Sequence, residues 1–169
     1  MKKDVTILGV YPDISKTALA FIRRTEDEFV LVSTYSIKTD MKMRAEIRLK
    51  DIYEEIRFYI QHYQINYAKV DTVAIQRDFE RVTDYLTHAT STVVGAACIS
   101  SARENRPCEF FTSTEVEMYN HLNANASPQE IKKHIEKYFD THIQCNASAR
   151  ACAIAITCHL FRSKHPGSK

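Results

Sequence analysis

The sequence predicts an α/β fold in which a mixed five-stranded sheet is flanked by helices. Three observations carry this. An unbroken apolar run, Val5 to Val10, stops at Pro12, which has no N–H to give a sheet. A short run buried on both faces marks a central strand. Two further β-rich stretches follow closely, and from there helical and strand patterns alternate to the end of the chain.

The first strand ends at a rim position, Tyr11, where ligand-binding groups of such sheets usually lie. Thr17 to Arg23 and Phe29 to Ile37 are separated by the polar turn Arg24 to Glu28, so with the first strand they predict an antiparallel meander. From Met43 to Gln64 the residues Leu49, Ile52, Ile56, Tyr59 and Tyr63 recur at helical spacing, with Lys50, Asp51, Glu54, Glu55 and Arg57 on a solvated face. Val70 to Gln76 predicts a fourth strand, Val82 to Glu104 a long helix, and Cys108 to Thr112 a short fifth strand. A helical stretch starts at Ser113. Ser127-Pro128-Gln129-Glu130 has the form of a helix start, with a Ser cap, Pro at the first position and an acid behind it. Asn146 is expected to cap a last helix from Ala147 to about Ser163, before a flexible tail at 164–169. With no repeat and no composition shift, residues 1–169 are expected to form a single domain.

Composition sets bounds on function. The chain is 44% hydrophobic and 26% charged with a net charge of +2, the balance of an ordinary globular protein whose weak basicity permits contact with nucleic acid without arguing for it. No run reaches the roughly 18 apolar residues that span a bilayer, so a cytoplasmic location and no membrane partner are expected. Cys98, Cys108, Cys145, Cys152 and Cys158 are odd in number and form no C-x-x-C pair. They read as reduced thiols rather than a zinc site or a disulfide framework.

Four segments carry a resemblance. They are Gly9-x-Tyr11-Pro12, Arg48-Leu49-Lys50-Asp51-Ile52-Tyr53, Ala74-Ile75-Gln76-Arg77-Asp78-Phe79, and Ala149 to Thr157 with the sequence A-R-A-C-A-I-A-I-T. In this order and at this spacing the chain resembles the RuvC-type Holliday-junction resolvases over roughly Thr6 to Arg162, and through them the ribonuclease H-like fold. The resemblance implies phosphodiester hydrolysis assisted by two divalent cations about 4 Å apart, held by carboxylates from strands and the last helix. The positions matching those ligands are Tyr11, Gln76, Ala147 and Arg150. None bears a negative charge, and Arg150 brings a permanent positive one.

The reading that follows is a protein that is not an enzyme: a pseudo-nuclease without cofactor or metal, binding duplex or branched DNA as an accessory factor in DNA processing. Arg150 could then pair with a phosphate. Phe79 matches the aromatic wedge of the family, and Arg77, Arg81 and Lys16 supply rim charge. Two alternatives stay open. Asp13 and Asp78 lie two residues beyond Tyr11 and Gln76, a step that returns to the same strand face, so a nuclease with displaced carboxylates is one. Against it, Asp13 caps a turn and Asp78 pairs with Arg77, Arg81 or Arg150. A protein-interaction module without DNA affinity is the other. The family's basic stretch after the fifth strand is also altered, with Glu117 where it has a lysine and Leu122 to Pro128 where it has a glycine-rich turn. The resemblance further implies a homodimer through the small residues Ala89 to Ala97, with other proteins of a DNA-processing complex as further partners.

Overall fold

The computed structural model describes residues 4–25, 28–62, 69–78 and 85–165. Among them the chain forms β1 (Val5–Tyr11), β2 (Lys16–Arg24), β3 (Phe29–Lys38), α1 (Ala45–His62), β4 (Val70–Gln76), α2 (Tyr85–Arg103), β5 (Cys108–Phe111), α3 (Ser113–Tyr119), α4 (Pro128–Phe139) and α5 (Asn146–Lys164). The strands lie in the order β3-β2-β1-β4-β5. The meander β1-β2-β3 is antiparallel, whereas β4 runs parallel to β1 and β5 parallel to β4. This is the mixed five-stranded sheet that the sequence predicts.

Alternation along the strands divides the core in two. Ile7, Ala18, Ala20, Ile22 and Ala74 face α5, behind which α3 and α4 stack. Leu8, Val10, Leu19, Phe21, Val73 and Ile75 face Ile52, Ile56 and Ile60 of α1 and Val93 and Ala97 of α2. The buried stripe of α1 therefore runs through Ile60, with Leu49 and Tyr59 only partly covered; Tyr63 lies outside the described residues. Arg48 departs further from the predicted pattern. It is buried, and its guanidinium donates to the Ile14 carbonyl at 2.9 Å and to Thr39 Oγ1 at 3.0 Å.

Helix α5 is small-sided and buried from Ala151 to Cys158. It crosses β1 at Gly9, where a Cβ would lie 2.1 Å from the Ala151 carbonyl oxygen. Only glycine admits that approach. The approach fixes α5 in depth over the central strand, and with it whatever its first turns carry. Helix α4 starts at a full capping box, Ser127 accepting from the Glu130 N–H and Glu130 reaching back to the Ser127 N–H. Among the described residues no helix is long and apolar enough to cross a membrane.

Candidate nucleic-acid interface

The rim at the C-terminal end of β1 and β4 gathers most of the residues singled out above. Val10 pairs with Ile75, so Tyr11 and Gln76 are the next residues out on adjacent strands. Both return to the face that α5 covers, two residues beyond Gly9 and Ala74. Arg150, on the second turn of α5, places its guanidinium 5.7 Å from the centre of the Tyr11 ring, within cation–π range. Among the described residues it makes no ion pair with a carboxylate. Ala147, one turn earlier, packs against the core.

Gln76 is only 7% exposed. Its amide donates to Asp78 Oδ2 at 2.7 Å, while its Oε1 is buried without a partner. Asp78 also accepts from the Ser113 N–H at 2.6 Å, which ties the end of β4 to the start of α3. Asp13 shapes the turn out of β1, accepting from Ser15 through both N–H and hydroxyl and from the Lys16 N–H. Burial alone would raise its pKa, but those hydrogen bonds and the charge of Arg48 leave it below the ordinary carboxylate value. Both displaced acids are therefore engaged in shaping the backbone around the rim.

Helix α5 begins one residue earlier than predicted, with Cys145 rather than Asn146 as its N-cap. Cys145 is extended (φ −152°, ψ 165°) and gives no side-chain cap. Its Sγ instead lies 3.4 Å from Lys16 Nζ and 3.3 Å from Ser148 Oγ. Burial pushes the thiol up, yet the Ser148 hydrogen bonds and the Lys16 ammonium outweigh it and bring the pKa down to about 7. Sequence reading missed this group; its one signal was a cysteine standing just before the predicted start of a helix.

The structure thus brings Tyr11, Gln76, Ala147, Arg150 and Lys16 to one end of the sheet. Arg77 leans away, over the Phe110 ring at 5.5 Å, and Phe79 and Arg81 lie outside the described residues. Glu117 is buried and accepts from the Asn125 N–H at 3.0 Å, so it braces the turn after α3 rather than facing a ligand.

A phenol, a neutral amide, a methyl group and a guanidinium do not fit a pair of divalent cations. Hard cations take oxygen ligands, and two of them close together need carboxylates to offset their charge, whereas Arg150 would repel them. Among the described residues, no group of three or more His, Cys, Asp or Glu side chains could hold a metal ion. The rim instead offers cationic and hydrogen-bonding groups, Lys16 and Arg150 above all, to an anionic ligand.

Comparison with known proteins places the chain. The family model described as "Crossover junction endodeoxyribonuclease RuvC" matches residues 7–159. A curated relative of that name from Wolbachia sp. subsp. Drosophila simulans is 26% identical over 93% of this chain and 94% of its own. Another, from Corynebacterium diphtheriae, is 23% identical over 92% and 94%. Among solved structures, Thermus thermophilus RuvC in complex with Holliday junction substrate superposes with a TM-score of 0.79 at 17% identity, covering 95% of this chain and 96% of that one. Fowlpox virus resolvase, in complex with its substrate Holliday junction DNA, gives 0.58 at 10% identity over 94% and 99%. The ribonuclease H-like fold follows from these superpositions. The family match and the curated relatives correct one expectation: the sequence reading of a protein that is not an enzyme is overturned, because that family and its curated members are named as endodeoxyribonucleases.

Proposed function

The chain belongs to the crossover junction endodeoxyribonuclease RuvC family, and on that premise we propose that it engages branched DNA, with a backbone phosphate seated at the Tyr11–Gln76–Arg150 rim. The observation that carries this reading is Arg150, held over the Tyr11 ring with no carboxylate partner among the described residues. A guanidinium positioned by an aromatic face and a buried helix is a preorganised phosphate ligand. Lys16 extends the positive rim on the β2 side. Asp13 and Asp78 keep their charge, but each carboxylate is held by other donors, Asp13 by the Ser15 and Lys16 N–H groups and Asp78 by the Ser113 N–H and the Gln76 amide, and among the described residues neither pairs with Arg150.

The reading includes a two-fold dimer across α2, the commonest form of assembly. The small-residue stretch divides between two faces: Ala89, Val93, Val94 and Ala97 are buried inward, leaving Thr92, Gly95, Ala96 and Ile99 outward. A Cβ on Gly95 would meet nothing within 4 Å, and Ile99 is 56% exposed. That outward stripe suits a close contact with its own copy, and Ile99→Lys would leave a monomer by light scattering if the contact forms there.

Binding of the purified protein to four-way junction, duplex and single-stranded DNA, across a salt series and in Mg²⁺ or EDTA, tests the central claim. Junction binding that weakens with salt and about tenfold in Arg150→Ala supports it. Equal affinity in Arg150→Ala, or no junction binding at any salt, refutes it. Strand cleavage is read from the same samples on a denaturing gel, since the family is named for it. Cuts lost in Asp78→Asn would assign Asp78 to that chemistry; cuts retained would leave it to the turn that Ser113 closes.

A further inference from the structure

We propose that the end of the sheet opposite the rim holds a binding site for a small organic phosphate monoester. A cavity of about 330 Å³ lies there, lined by Ile60, Gln61 and His62 at the end of α1, Lys69 before β4, and Glu104 and Arg106 between α2 and β5. β4 runs from Val70 beside it to Gln76 at the rim, so about 20 Å of strand separates the two places. The volume is at the small end of the range for ligand pockets. Such pockets are mostly apolar, whereas here Ile60 is the single apolar residue of the lining. The ligand must therefore be polar.

Arg106 sets the sign of its charge. Its N–H donates to the Ser101 carbonyl at 2.9 Å, and its carbonyl accepts from the Ser101 hydroxyl at 2.7 Å. The carbonyl of Pro107 then accepts from the Val73 N–H at 3.0 Å, which anchors the segment to the sheet. From this fixed backbone the side chain is only partly exposed, and its Nε–H is buried with no hydrogen-bond partner. An unmet buried donor on a cation calls for an acceptor, and an anionic one binds it best. Lys69 is exposed and has no ion-pair partner among the described residues. The one acid of the lining, Glu104, is already matched: Arg57 Nε donates to its Oε1 at 2.7 Å and the Gln61 amide at 2.9 Å. Lys69 and Arg106 thus leave two positive charges uncompensated. A phosphate monoester brings about −1.5 to −2 at neutral pH, whereas each phosphate of a nucleic-acid backbone brings about −1. His62, held through Nδ1 at the Phe58 carbonyl, adds charge only when protonated, and Ile60 offers an apolar contact to the organic part. The site is independent of any DNA contact at the rim.

The test is lysine acetylation of the full protein, read residue by residue by mass spectrometry at constant ionic strength. Phenyl phosphate is the probe, with inorganic phosphate and duplex DNA in parallel samples. Phenyl phosphate should protect Lys69 saturably, while Lys50, an exposed lysine paired with Glu54 on α1, should react as before. In Arg106→Gln the half-protecting concentration should rise about tenfold, the loss expected of a hydrogen bond to a charged group. Ser101 holds the backbone of residue 106, so that variant should keep the urea midpoint of the parent. Lys69→Gln changes an exposed side chain and should weaken calorimetric binding of phenyl phosphate by a similar factor. Equal labelling of Lys69 with and without phenyl phosphate, parental affinity in both variants, or protection by inorganic phosphate or duplex DNA alone would each overturn the proposal.

Discussion

Replacing Gly9 by alanine is the sharpest test of how α5 sits on the sheet. The new Cβ would lie 2.1 Å from the Ala151 carbonyl oxygen and 3.0 Å from Ala155 Cβ, where ordinary contact begins near 3.4 Å. The first obstacle is helix backbone, which has no rotamer to adopt, so α5 must move off β1 by about 1.3 Å. A gap of 0.5–1 Å already forfeits a quarter to a half of a contact's dispersion energy, and here the lifted surface runs from Ala151 to Cys158. The cost should be at least about 3 kcal/mol, the upper end for overpacking a core. With a urea slope of about 2 kcal/mol per molar, the midpoint of unfolding by far-UV circular dichroism should fall by about 1.5 M. Gly95→Ala is the matched control, made beside Ile99→Lys so that the α2 contact proposed above is absent: its Cβ meets nothing within 4 Å in its own chain, so removing a helical glycine should stabilise by about 0.5–1 kcal/mol. If the two substitutions shift the midpoint alike, α5 does not lie against Gly9 at this depth and the geometry of the rim above it fails too.

Three further outcomes follow from single sites. Alkylation of Cys145 by iodoacetamide should rise with pH through a midpoint near 7, the value its surroundings set, because only the thiolate reacts; Lys16→Gln should move that midpoint upward, and an unchanged midpoint would remove Lys16 from the cause. Asp13, held below its ordinary pKa by Ser15, Lys16 and Arg48, contributes stability above the unfolded carboxylate value that is lost as pH falls through its folded one; Asp13→Asn should therefore flatten the stability profile below about pH 4 and leave the slope above pH 5 unchanged. Ser127→Ala removes one half of the α4 capping box and should cost about 1 kcal/mol in the same urea titration, with no effect beyond about 0.3 kcal/mol placing the start of α4 elsewhere.

Local chemistry was legible wherever one segment decides its own structure. β4 spans Val70–Gln76, the bounds that its β-rich pattern predicts, and Ser127-Pro128-Gln129-Glu130 caps α4 as its residues demand. What was illegible lies between segments distant in sequence. Arg48 looks like one more charged residue on an exposed helix until the carbonyl of Ile14 and the hydroxyl of Thr39 close on it. Asn146 is the better capping residue type, yet Cys145 takes the position, and its sulfur meets Lys16, 129 residues away in the chain. The structure gathers Tyr11, Gln76 and Arg150, singled out on three separate segments, where β1, β4 and α5 meet. The inference from four uncharged or cationic positions to the absence of catalysis did not stand, because chemistry at four positions describes a donor set and not a whole protein.

The seat of α5 against Gly9 also has a consequence for how the chain is made. The strand that α5 covers leaves the ribosome ahead of the other elements of this fold, and α5 leaves after them. At about 5–20 residues per second, a nascent chain carries one face of its central sheet bare for roughly 10–30 s before its cover emerges. During that interval Ile7, Ala20 and Ala74 have no partner on that side except the tunnel mouth, a chaperone or another chain. Production of this protein should therefore respond more to translation speed and holdase supply than its finished stability suggests.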